Sequence, residues 1–99
     1  MNNKNLYLTK SNGRMLSPGK MPDDQFWLLA EISPLHSEKV ISALRDFLVG
    51  GYTRKDACER HDVSQGYFSS ALRRFQSTHY IVNKLVPFYI SEVCEPHVY

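Results

Sequence analysis

The stretch from Thr53 to Arg74, TRKDACERHDVSQGYFSSALRR, constrains this chain most, because it satisfies two helices and the tight turn between them residue by residue. Thr53 carries a side-chain oxygen that can accept from the free N–H groups of a starting helix, a cap worth about 1 kcal/mol. Ser64 offers the same to a second helix. Asp62 stands where such a turn needs a left-handed backbone, which glycine adopts freely and Asp or Asn more readily than most residues. Val63 then plugs the corner. The first helix buries Ala57 and Cys58, the latter at a close crossing that admits only a small side chain. The second turns Phe68, Ala71 and Leu72 inward and Gln65, Ser69, Ser70 and Arg73 outward. The pattern predicts a helix-turn-helix over residues 53–75, with a second helix shaped to enter a major groove.

Ninety-nine residues with 42% hydrophobic content form one modest core and no second domain. A net charge of +2 does not mark a nucleic-acid binder by itself, so the distribution matters more. No acidic residue lies between Asp62 and Glu92, while Arg73, Arg74 and Lys84 make that segment basic even before His79 is counted. The acids gather elsewhere, at Asp23, Asp24 and Glu31 and at Glu92 and Glu95. The opening MNNKNLYLTK has no apolar signal region and no run approaches a membrane span, which predicts a cytoplasmic protein with no membrane partner. In that compartment Cys58 and Cys94 stay thiols.

Along the rest of the chain, residues 1–21 read either as an N-terminal arm or as a hairpin around Asn12-Gly13. Pro22-Asp23-Asp24 opens a helix, with acids at the positive end of its dipole. Phe26, Trp27, Leu28, Leu29 and Ile32 make it apolar around much of its circumference, so it packs deeply or meets a partner subunit. Pro34 breaks it. Ser37 caps the next helix, where Val40, Ile41, Leu44, Phe47 and Leu48 form an apolar face opposite Glu38, Lys39, Ser42, Arg45 and Asp46. Gly50-Gly51 ends it through a left-handed cap, and the helix packs across the helix-turn-helix as a scaffold. Beyond Arg74, apolar Phe75, Ile81, Val82, Leu85 and Val86 continue to Pro87, which stops the helix. Thr78 as a cap predicts a break near Ser77. Phe88, Tyr89 and Ile90 then pack back from an extended tail. The fold predicted is all-α, a small domain of four to five helices spanning residues 22–90, flanked by an arm (1–21) and a tail (91–99).

The string Leu48-Val49-Gly50-Gly51-Tyr52-Thr53-Arg54-Lys55, followed by Cys58-Glu59 and Gly66-Tyr67-Phe68-Ser69, resembles the PapB-type regulators of bacterial fimbrial and adhesin operons. The resemblance covers roughly residues 21–89 and is carried by FWLLAEISPLHSEKVISALRDFLVGGYTRK and CERHDVSQGYFSSAL, phrases far more specific than a generic helix-turn-helix. It implies a small transcription factor that binds AT-rich control DNA as an oligomer, represses or activates according to site, and takes part in phase-variable adhesin expression. Arg54 and Cys58 match positions in the family's core. Packing alone explains Cys58, which leaves Arg54 as the functional candidate. The resemblance also implies minor-groove recognition of T-rich DNA, whereas the Ser64 helix favours the major groove, and the residues leave that choice open.

These readings assign Arg54, Lys55, Arg73 and Arg74 to phosphate or base contacts, and Gln65, Ser69 and Ser70 to sequence preference. Ser64 starts the reading helix, and Tyr67 either packs its ring or reaches a phosphate with its hydroxyl. Phe26, Trp27 and Leu28 in the first helix, with Ile81 and Leu85 near the end, are the candidate oligomer contacts of a homo-oligomer. The rival binding reading is a helical adaptor that uses the Phe26–Leu29 surface on another protein. Salt separates the two, since phosphate contacts weaken steeply with ionic strength and an apolar interface does not. Cys58-x-x-His61 and Cys94-x-x-His97 make two Cys/His pairs, but the spacing of a structural zinc site is absent. With no triad context and no glycine-rich phosphate loop, neither an enzyme, a cofactor nor a small-molecule substrate is expected.

Overall fold

The computed structural model describes residues 16–94. Four helices follow one another: α1 (Asp23–Ile32), α2 (Glu38–Leu48), α3 (Arg54–His61) and α4 (Gln65–Cys94). The all-α prediction holds, at the lower end of the expected helix number.

Local chemistry explains each boundary. Pro22 takes the capping position of α1 with extended backbone and gives its carbonyl to Phe26, while Asp23 and Asp24 occupy the first turn. The helix ends where Ser33 turns its N–H and its hydroxyl back onto the last carbonyls, the hydroxyl donating to Ala30 at 2.9 Å. Ser37 Oγ accepts from Val40 N at the start of α2, as its sequence position predicts. At the other end Gly51 adopts φ +82°, and at Gly50 a Cβ would sit 2.8 Å from the Asp46 carbonyl. A side chain at position 50 would push that carbonyl aside, and one at position 51 would strain the backbone.

The core lies where α2 crosses the other three helices. Val40, Ala43, Leu44, Phe47 and Leu48 are its buried face, joined by Phe26, Leu29 and Ala30 of α1 and by Phe68, Ala71, Leu72 and Phe75 of α4. Phe26 stacks on Phe75 with centroids 5.2 Å apart, and Phe47 meets Phe68 edge to face at 5.6 Å. Each such side chain removed from water contributes about 1.5–3 kcal/mol. Residues 16–21, placed in the arm by sequence, are strapped onto this core. Gly19 and Met21 donate to the Phe47 and Leu48 carbonyls, and Leu16 N donates to Gln76 Oε1 at 2.8 Å. The arm or hairpin around Asn12-Gly13 and the pair Cys94-x-x-His97 lie outside what is described.

Three expectations are overturned. There is no break near Ser77: the Thr78 hydroxyl donates to the Arg74 carbonyl one turn back, as a mid-helix threonine does, and caps nothing. Nor does Pro87 stop the helix, which runs through it to Cys94. The missing hydrogen bond falls beside exposed Asn83, where water can take the freed carbonyl. Phe88, Tyr89 and Ile90 therefore do not pack back from a tail, but stand exposed on α4.

Candidate nucleic-acid interface

The stretch for which a helix-turn-helix is predicted holds α3, the turn at Asp62 to Ser64, and the first half of α4. Thr53 Oγ1 accepts from Asp56 N at 3.0 Å, and Ser64 Oγ accepts from Tyr67 N at 3.1 Å, so both caps form. Asp62 has φ 57° and ψ 51°, the left-handed conformation its position demands. Val63 N then closes the elbow onto the Cys58 carbonyl at 2.9 Å, and the Val63 side chain packs against the core. Cys58 is buried at the crossing, and burial pushes its thiol above the ordinary range, which leaves it a small packing residue.

Lys55, Ser64, Gln65, Tyr67, Arg73 and Arg74 are exposed, while Ser70 is half-buried. Arg54 and Ser69 stand apart from them. Both are half-buried, and they bond to one another, Arg54 Nη1 donating to Ser69 Oγ at 2.8 Å. His79 adds nothing to the basic segment near neutral pH, because burial lowers its pKa.

Sequence reading missed the group that anchors the far end of α3. Asp46, expected on the solvent face of α2, is buried, and its Oδ2 accepts from Arg60 Nε at 2.8 Å and from His61 Nε2 at 2.7 Å. Its carbonyl takes the Tyr52 N–H, and the Arg60 guanidinium lies 4.4 Å from the Tyr52 ring centre. Burial alone would raise the Asp46 carboxyl, yet the hydrogen bonds and charges of Arg60 and His61 outweigh it and hold the group below its ordinary value. The reason for the burial is its place one turn after buried Ala43, and the signal for it was an Arg-His pair ending α3. His61 is therefore engaged by Asp46, and among the described residues no group of three His, Cys, Asp or Glu side chains is arranged to hold a metal.

The predicted oligomer contacts divide. Trp27, Leu28, Ile81 and Leu85 are exposed, Leu28 to 71%. Phe26 is not: it is fully buried between Trp27 and Phe75, so it belongs to the core and cannot meet a partner.

The family described as PapB, adhesin biosynthesis transcription regulatory protein, matches residues 1–89 of the chain. The chain belongs to the PapB family. It is 59% identical over 92 residues to the AFA-III adhesin operon regulatory protein of Escherichia coli, covering 93% of this chain and 91% of that protein. It is 40% identical over 88 residues to the PapB regulatory protein of the major pilus subunit operon of the same organism, 89% of this chain and 85% of that one. The crystal structure of E. coli FocB superposes with a TM-score of 0.78 at 42% identity, across 87% of this chain and 98% of FocB. Members of the PapB family are transcription regulators and not enzymes. Among the described residues, no helix is long and apolar enough to cross a membrane.

Proposed function

We propose that this PapB-family regulator binds AT-rich double-stranded DNA at adhesin operon promoters in the cytoplasm, reading it with the helix-turn-helix and loading cooperatively as a homo-oligomer. The observation that carries the reading is the two-sided first half of α4. Phe68, Ala71, Leu72 and Phe75 are buried, while Gln65, Tyr67, Arg73 and Arg74 are exposed, as is Lys55 of α3. A helix held so firmly on one face presents the other as a rigid reading surface. Arg73, Arg74 and Lys55 supply phosphate or base contacts, Gln65 and Ser70 the sequence preference, and the capped start of α4 at Ser64 faces the backbone.

The test is the affinity for an AT-rich duplex measured across salt. Removing one phosphate-binding side chain, as in Arg73→Ala or Arg74→Ala, lowers the salt slope by about one unit, and removing one that reads a base costs roughly 1–3 kcal/mol. If Gln65→Ala and Ser70→Ala change the sequences chosen in a binding selection, the major groove is read directly, and if they do not, the shape of the minor groove is. A chain that does not bind the duplex even at low salt would favour the protein adaptor, for which exposed Trp27 and Leu28 provide the surface.

A further inference from the structure

Arg54 opens α3 and touches two other helices at once. Its Nη1 donates to Ser69 Oγ on α4 at 2.8 Å, and its guanidinium carbon lies 5.9 Å from the Phe47 ring centre on α2 and 5.6 Å from that of Phe68 on α4. Those rings meet edge to face, so the cation caps an aromatic pair, an arrangement that suits the flat guanidinium better than an ammonium. α3 has eight residues and buries only Ala57 and Cys58. Asp46 holds the far end of this short helix through Arg60 and His61, and the planar fork of Arg54 ties its near end to α2 and α4.

Ser69 occupies a telling position. Gln65, Ser69 and Arg73 are four residues apart along α4 and share one face, the face assigned above to DNA. The middle of that face is already committed to a bond inside the protein. We propose that Arg54 is a positioning residue: by holding Ser69 and the Phe47–Phe68 pair, it sets the rotation and height of α4 against α3. Gln65 and Arg73 are thereby aimed at DNA, and Arg54 supplies no phosphate contact of its own. The inference rests on the DNA-reading assignment.

Salt dependence distinguishes a strut from a contact, because only a phosphate contact releases counterions. Affinity for a fluorescent AT-rich duplex is measured by anisotropy over a salt series for the wild type, Arg54→Ala, Arg54→Lys, Ser69→Ala and the double alanine variant, with urea unfolding to establish that each is folded. The strut predicts that Arg54→Ala weakens binding about tenfold with the wild-type salt slope. Arg54→Lys, which keeps the charge without the fork, weakens it in the same manner. Ser69→Ala weakens it too, and the double variant is no worse than Arg54→Ala, since both changes remove one link. A slope lower by about one unit in Arg54→Ala, wild-type affinity in Arg54→Lys, or additive losses in the double variant would each overturn it. Should Arg54→Ala fail to fold, Arg54→Lys and Ser69→Ala decide the question. A wild-type chain that ignores the duplex at every salt concentration overturns the DNA-reading assignment itself, an outcome distinct from the others.

Discussion

Asp46 holds the end of α3 with a carboxylate that is only 11% exposed, between an Arg60 side chain half in water and a His61 side chain largely out of it. Replacing it by Asn keeps the shape and removes the charge, leaving two donors facing a weaker acceptor. Asp46→Asn should cost roughly 1–3 kcal/mol of unfolding free energy at neutral pH, read from urea denaturation. The pH dependence follows from the sign of the shift. The folded-state pKa lies below the unfolded value, so the stabilisation is fully present above the unfolded value, near 3.9, and is lost as pH falls through the folded one. The difference between wild type and variant should therefore shrink as pH falls through the carboxylate range. A difference that grew there as pH fell would contradict the clamp. Such a cluster is hard to read in sequence, because its members are 14 and 15 residues apart and sit on different helices. Thr53, Ser37, Ser64 and Asp62 were legible for the opposite reason: each acts on backbone within four residues of itself.

At the scale of elements, α2 and the α3–α4 elbow follow from periodicity and caps, whereas α4 shows where those rules give way. Thr78 carries the same hydroxyl as Thr53, yet one caps a helix and the other bonds back to Arg74, and only the neighbouring turns decide between them. Pro87 lies in a stretch whose residues from Asn83 to Ile90 are all exposed, so a helix through it rests on local propensity rather than packing. Proline in a helix interior costs about 3 kcal/mol relative to alanine. Pro87→Ala should accordingly slow amide exchange around residues 84–94, by up to about a hundredfold, and raise the helical signal in circular dichroism. The urea midpoint of the core should stay where it is, because none of the described core residues lies in residues 84–90. A midpoint that rose with the exchange protection would mean that the end of α4 folds as one unit with the core.

At the scale of the whole molecule, a helix of 30 residues extends about 45 Å, and the protein measures 54 × 33 × 22 Å. The far half of α4 reaches beyond the packed helices, and it carries Ile81, Leu85, Val86, Phe88, Tyr89 and Ile90 exposed to solvent. α1 adds Trp27, Leu28 and Ile32. Soluble monomers seldom leave so many large apolar side chains in two segments uncovered. On the proposed DNA-binding reading, a single protomer with a net charge of +2 would gain little non-specific attraction to DNA, and association between protomers would offset what the single contact lacks. The free protein should scatter light as more than a monomer at concentrations on the order of tens of micromolar, and protect successive sites on an AT-rich promoter together. Leu28→Asp and Leu85→Asp should return it to a monomer and abolish the cooperative protection while leaving the unfolding free energy of the protomer, compared at a dilution where the wild type is also dissociated, within about 0.5 kcal/mol, as surface changes do. Phe26→Asp makes the contrasting control: it places a charge in the stack with Phe75 and should unfold the chain. A wild type that stays strictly monomeric and protects one isolated site would leave these apolar segments without a role in self-association.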